Sequence, residues 1–280
     1  MNPIEITYNG ITLGGTSQYY INRLPGFYGA DIRTSKDSLI DQDGSKIWNQ
    51  KYGARSLAIE GDVMGDTVTE YLTNLRALVN AFSITDEAMP LVISTWEDTP
   101  TQKIIYARVI TMPQPIEIAG ESNVATFRIE LEAESPFFLS TSDKNGSTSI
   151  AVTSGIPLSV PMGIPIGATT SGQITINNEG DIAAYPEFTI EDDLINPTIS
   201  NLTTGEYFQI QDTLTFGDVV RVYIDSDGLH VLKNGTKIFD KFNGDIFTLI
   251  PGINVIKFSA TGSSVSGLLT VDFTDHYLSL

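Results

Sequence analysis

The sequence predicts a mainly β chain of two domains. The first is an amino-terminal β-sandwich or barrel-like domain carrying one α-helix; the second is an antiparallel β-sandwich of jelly-roll or lectin type. Three observations lead there. Short runs of alternating apolar and polar residues recur along the 280 residues, as expected of strands with one wet face. Only one stretch has convincing helical spacing. A Ser/Thr/Gly/Pro-rich segment without periodicity, residues 141–172, divides the chain into an amino-terminal domain, 1–140, and a carboxy-terminal one, 173–280.

The amino-terminal elements follow in order. In IEITYNGITLGG the apolar Ile4, Ile6 and Tyr8 alternate, and Asn9-Gly10 suits a type I′ hairpin turn before Ile11 and Leu13. Further strands are expected over Tyr19 to Leu24, Phe27 to Arg33, Arg55 to Val63, Leu91 to Trp96, Gln102 to Thr111 and Val124 to Glu134. In the last of these Phe127, Ile129, Leu131 and Ala133 face one way and Arg128, Glu130, Glu132 and Glu134 the other. The helix is expected in DTVTEYLTNLRALVNAFS, with Val68, Tyr71, Leu72, Leu75, Val79 and Phe82 as its apolar face and Thr67 and Glu70 as a capping box. Residues 34–54 are polar, turn-rich and too long for a plain connection, which suggests an arm or exposed hairpin. Trp48 and Tyr52 within it could anchor on a neighbouring subunit or pack on their own domain.

In the second domain the expected strands are Gln173 to Asn177, Glu187 to Glu191, Thr198 to Asn201, Glu206 to Gln211, Val219 to Ile224, His230 to Leu232, Ile253 to Ala260 and Leu268 to Phe273. Their regular spacing, with no helical segment between them, is that of an antiparallel sandwich.

Composition excludes several function classes. No apolar run reaches the roughly 20 residues of a membrane span, and MNPIEITYNG has neither the basic start nor the apolar core of an export signal. The chain has no cysteine, so disulfides, thiolate metal sites and cysteine nucleophiles are all ruled out. The formal charge of −18 is spread over both halves, a surface that repels phosphate backbones and anionic lipid. Neither specific nucleic-acid binding nor membrane binding is expected.

Reactive constellations are few. Asp225-Ser226-Asp227-Gly228 opens like a calcium loop, but position 236 is Thr236 where the closing glutamate would stand, so a hairpin turn is the better reading. Asp43-Gly44 and Asn234-Gly235 are read the same way. Glu191-Asp192-Asp193 could supply acids for glycoside hydrolysis, yet a surface turn accounts for them. A serine triad would have to use His230 or His276, the only two histidines, and neither lies in a catalytic motif. Tyr185, Phe188, Tyr207, Phe208 and Tyr223 could stack on sugar, although core filling explains most of them. No catalytic, cofactor-binding or metal-ligating residue is assigned, and no cofactor is expected.

The order of features is more specific than any one of them. In the first half, Gly53-x-Arg55 leads into a strand ending at Gly61, a capped helix contains Leu75-Arg76-Ala77-Leu78, and a closing strand runs into Ser135-Pro136-Phe137. In the second half come Asn178-x-Gly180-Asp181, Ala184-x-Pro186, an Asn201-containing strand, Asp227-Gly228, Ile250-Pro251-Gly252-x-Asn254-x-Ile256 and the ending Tyr277-Leu278-Ser279-Leu280. This succession resembles the distal tail proteins of long, non-contractile-tailed phages. The resemblance implies a galectin-like carboxy-terminal domain and a structural, non-enzymatic protein: a hexameric ring hub joining the tail tube protein to tail-tip, tail-associated or receptor-binding proteins, with DNA passing through its lumen. It also implies a place at the virion tail tip after assembly in the host bacterial cytoplasm. The alternative is a carbohydrate-binding module or receptor-binding adhesin, for which host carbohydrate is the candidate partner; a glycosidase ranks below both.

Overall fold

The computed structural model describes residues 4–38, 42–95, 101–117, 123–150, 171–261 and 266–280. They form two compact units, one of Met1–Thr141 with Tyr277–Leu280 and one of Ser142–His276. Trp96 and the middle of the segment read as a linker, 151–170, lie outside the described residues.

In the first unit seven antiparallel strands follow one another in the order Ile11–Gly14, Ile4–Tyr8, Met89–Thr95, Thr101–Thr111, Val124–Ala133, Arg55–Met64 and Tyr19–Arg23. The two end strands adjoin, so the sheet nearly closes into a barrel. The backbone of Asn9-Gly10 takes φ values of 43° and 81°, the double left-handed turn that the hairpin needs. Alternation puts Phe127, Ile129, Leu131 and Ala133 in the core together with Ile59, Val63, Leu91 and Ile105. No strand spans Phe27 to Arg33: the chain bends at Pro25-Gly26, Phe27 N donates to Leu24 O at 3.4 Å, and the next strand starts only at Ile32.

The helix spans Val68–Ala81, and Thr67 accepts the Glu70 backbone N–H as expected of a cap. The reciprocal bond is shifted by one residue, since the Glu70 carboxylate accepts from Asp66 N at 3.1 Å. The buried stripe is rotated relative to the expected one. Tyr71, Leu78 and Ala81 face the sheet and Phe82 follows them into the core, whereas Val68 and Leu72 stay exposed. Phe82 stacks on Tyr8 at 4.8 Å, which anchors the helix end.

The second unit is a sandwich. One sheet runs Lys144–Ile150, Gly267–Phe273, Glu187–Glu191, Val219–Asp225, Gly228–Lys233 and Thr236–Lys237; the other runs Ser171–Asn178, Gly252–Ser259, Thr198–Asn201, Tyr207–Ile210 and Phe242–Gly244. Both contribute alternate residues to one core, where Phe188, Phe208 and Phe247 meet with centroids 5.1 to 5.9 Å apart. The strand Lys144–Ile150 falls inside the segment read as a linker; it pairs along its whole length with Gly267–Phe273.

Candidate functional site

The motif residues come together in the structure, but as internal braces. Arg55 is fully buried at the start of its strand. Its Nε donates to Gly26 O (2.8 Å), Nη2 to Phe27 O (2.9 Å), and Nη1 to both Pro136 O (2.7 Å) and Leu278 O (2.9 Å). The guanidinium also lies 4.4 Å from the centre of the Phe138 ring. Burial lowers its pKa, an effect opposed by the Asp31 carboxylate. One side chain thus ties the Gly53-x-Arg55 motif, the Ser135-Pro136-Phe137 motif and the carboxy-terminal Tyr277-Leu278 within the first unit. Charged donors reaching four carbonyls are what make a buried guanidinium tolerable.

The second unit repeats the device with asparagine. Asn178, almost wholly buried, donates from Nδ2 to Leu249 O (2.8 Å) and Ile182 O (3.0 Å) and accepts from Gly180 N (2.9 Å). Asn254 donates to Ile250 O (2.7 Å) and Gly252 O (3.0 Å), and its oxygen accepts from Ile250 N (3.0 Å) and from Asn201 Nδ2 (3.3 Å). Asn201 in turn accepts from Thr203 N at 3.0 Å. An amide offers two donors and an oxygen with two lone pairs, so a single buried asparagine can close a loop on itself.

The corner at 178–181 is fixed by close packing on the backbone of His276. Gly180 is not in the left-handed region; it is required because a Cβ there would sit 2.4 Å from His276 O and 2.7 Å from His276 N. Pro186 precedes a central strand rather than an edge strand, since Glu187–Glu191 pairs on both sides. Its missing donor is harmless there because it stands just outside the ladder. The buried carboxylate of Asp275 accepts from Glu179 N at 3.1 Å and pairs with Lys144 at 2.6 Å, a role that nothing in the local sequence marks. Burial works to lower the Lys144 pKa, but its bonds to Asp275 and Glu179 outweigh that and raise it.

The groupings that could carry chemistry resolve as follows. Asp225 accepts from Asp227 N (2.8 Å) across the expected hairpin turn and also meets His230 Nε2 at 2.9 Å. The Asp227 N–H, with burial working against it and His230 adding to it, holds the Asp225 carboxyl below its ordinary range. Among the described residues no hydroxyl bonds the His230 ring, whose other neighbour is Tyr223, stacked at 4.9 Å. A Ser-His-Asp relay is therefore not assembled around it. Asp192 sits in a turn at φ 72° and accepts from Gly217 N, the surface-turn role expected of Glu191-Asp192-Asp193. Burial lowers the pKa of His276 against the pull of Asp275. Of the aromatic residues, Phe188 and Phe208 are core, whereas Tyr185 and Tyr207 are exposed. Among the described residues no group of three or more His, Asp or Glu side chains could hold a metal ion.

Across the segment 34–54, Ile32–Ser38 pairs with Ser45–Tyr52 as two antiparallel strands in which every described residue is exposed. Trp48 donates to Asp37 Oδ2 at 2.7 Å and has Lys46 Nζ 4.0 Å above its ring, while Tyr52 meets Phe137 edge-on at 5.5 Å. Ile32, Ile47 and Trp48 are more than half exposed.

Fold and site define a two-unit β protein whose distinctive polar residues hold loops in place. Residues 179–277 match the family model described as the siphovirus-type tail component, C-terminal domain. The whole chain shares its fold with the crystal structure of the SPP1 Dit (gp 19.1) protein, described as a paradigm of the hub adsorption apparatus in phages infecting Gram-positive bacteria. That match has a TM-score of 0.65 at 17% identity and covers 98% of this chain and 99% of that one. A chain of the phage P2 baseplate in its activated conformation with calcium is a weaker match, with a TM-score of 0.40 at 10% identity over 95% of this chain and 100% of that chain. The search of curated proteins finds no match. Domain match and shared fold together support the resemblance to siphophage distal tail proteins.

Proposed function

We propose that this chain is a structural hub of a phage tail tip: a ring of six copies that joins the tail tube to tail-tip or receptor-binding proteins and lets DNA pass, without catalysis of its own. The observation that carries this reading is the match of residues 179–277 to the siphovirus-type tail component domain. Two features of the chain support it. A lone two-stranded ribbon is marginal in water, yet the hairpin Ile32–Tyr52 presents Ile32, Ile47 and Trp48 to solvent and so suits a neighbouring copy that would cover them. Rings need two different complementary surfaces on each subunit; the hairpin is one, and the outer helix face with exposed Val68 and Leu72 is the second. The acidic balance of both halves suits a lumen through which DNA slides without sticking. Such a protein would be assembled in the host cytoplasm and carried at the virion tail tip.

Electron microscopy of the purified protein, with mass photometry over a range of concentrations, tests this. The expected result is a six-fold ring with a central hole, built from six copies of the 30.5 kDa chain. Combined Ile47→Ser and Trp48→Ser should abolish rings while leaving the melting of both units unchanged. A chain that stays monomeric at every concentration, or a ring that survives the double substitution, would overturn the proposal or its assigned interface respectively.

A further inference from the structure

The outward face of the six-stranded sheet holds a cleft of about 290 Å³ that the hub role does not use. Tyr185, Glu187, Tyr223, Asp272 and Asp143 line it. Its floor is set by cross-strand register: Asp272 lies directly opposite Glu187, and Tyr223 opposite His230, with Glu187 and Tyr223 on adjoining strands. Tyr223 is fixed in place, stacked on His230 at 4.9 Å and lying under the Arg221 guanidinium at 5.4 Å, and Arg221 is also bonded to Glu187. Tyr185, by contrast, leaves 54% of its surface in water at the rim.

The charges in this cleft are unbalanced. Like charges directly opposite on paired strands are destabilising, and Arg221 answers only Glu187. No donor among the described residues reaches the Asp272 carboxylate, which is half-buried. Burial, followed by the Glu187 and Asp143 carboxylates, pushes its pKa up. A sandwich gains nothing in stability from this arrangement, and an uncompensated titratable group in a cleft points to a ligand that completes it. The described carboxylates form no metal-holding group. The complementary ligand is therefore an organic one, with hydroxyl and ammonium donors for Asp272 and a flat apolar face for Tyr185.

We propose that this cleft binds a sugar ring carrying a positively charged amino group, with Tyr185 as its stacking platform and Asp272 as the acceptor of its hydroxyl and ammonium donors. Its volume, at the lower end for ligand pockets, suits one or two rings rather than a long chain. Uronic acids and other anionic sugars are rejected by the same carboxylates.

The test is a titration of the full-length chain, followed by two-dimensional NMR at physiological salt, with oligomers of glucosamine, of N-acetylglucosamine and of galacturonic acid, and with oligolysine. Glucosamine oligomers should give saturable shifts confined to the cleft, N-acetylglucosamine oligomers weaker ones and galacturonate none. Tyr185→Ala and Asp272→Asn should each weaken glucosamine binding by about tenfold or more. Asp272→Asn should at the same time leave the second unit as stable as before or more so, because it removes a repulsion; a merely structural carboxylate would behave oppositely. The proposal is overturned by any of four results: no saturable binding of glucosamine oligomers, equal binding of galacturonate, undiminished binding by both variants, or oligolysine binding as tightly with loss in the same variants. The last result would assign the cleft to a basic protein segment.

Discussion

Replacing Arg55 by lysine keeps the charge and most of the stem but removes the fork. In the native protein Nε, Nη1 and Nη2 reach four carbonyls lying in three separate stretches of chain, Gly26-Phe27, Pro136 and Leu278. A single ammonium has three diverging protons and one position, so it serves the pair bonded by Nη1 or the pair bonded by Nε and Nη2, but not both. Two bonds are lost. Hydrogen bonds from a charged donor contribute about 1.5 kcal/mol or more each, so the expected loss is about 3 kcal/mol. For a unit of this size that lowers the melting temperature by roughly 10 °C. Scanning calorimetry at fixed protein concentration should show the transition of the first unit moving while that of the second stays in place. An unchanged first transition, or an equal shift in both, would refute the assignment of Arg55 as the brace of the first unit alone.

Other expectations concern the second unit. Asn254→Asp should destabilise it by about 3 kcal/mol or more at neutral pH, because a buried carboxylate would face the Ile250 and Gly252 carbonyls with no proton to donate; calorimetry at mildly acid pH should show partial recovery as the group protonates. Gly180→Ala should cost about 1–3 kcal/mol by driving a methyl into the His276 backbone, and an unshifted melting curve would contradict the packing there. Asp218 is held far below the ordinary carboxylate range, first by the Thr215 N–H and then by Asn234 and the Thr215 hydroxyl. A depressed folded-state pKa contributes stability that is complete above the unfolded value of about 4 and is lost as pH falls toward the folded value. The second unit should therefore melt progressively earlier below about pH 4, and Asp218→Asn should flatten that dependence; identical acid profiles for the two proteins would count against it.

The strands were legible because alternation is local: Val124–Ala133 and Glu187–Glu191 can be read from neighbours two residues away. The helix was equally clear, but not the face it buries. That face depends on where Tyr8 and Tyr19 stand, and they receive Phe82 by stacking and the Asn74 carbonyl by a hydrogen bond. Asn178, Gly180 and Asn254 were visible as a pattern without their purpose, because turn chemistry and burial call for the same residue types. Arg55 reaches acceptors 28, 29, 81 and 223 residues away, and Asp275 meets a backbone amide 96 residues away, separations that no spacing rule covers. The cleft at Asp272 depends on which strands become neighbours in the sheet, and the order of residues along one chain does not contain that.

The braces also bear on why a structural protein would bury so many polar groups. Hydrophobic residues of similar volume could not fill these places at equal stability, because the acceptors are backbone carbonyls that would stay behind unpaired. What directional bonds add is position: Asn254 allows one geometry for the Ile250-Gly252 loop, and Arg55 allows one for the bend at Gly26-Phe27, with the exposed hairpin starting at Ile32, five residues after Phe27. Position matters most when contacts are repeated around a ring. Each heterologous interface sets a rotation, and an angular error at one contact is multiplied by the number of subunits before the ring must close. In the proposed ring the hairpin would carry Ile47 and Trp48 as contact residues and would need its root held firmly; Arg55 grips the backbone oxygen of Phe27 close to that root. Arg55→Lys should therefore impair ring closure even at temperatures where the first unit remains folded, giving open arcs beside closed rings in micrographs; intact rings only, with the first unit destabilised as expected, would confine the arginine to stability.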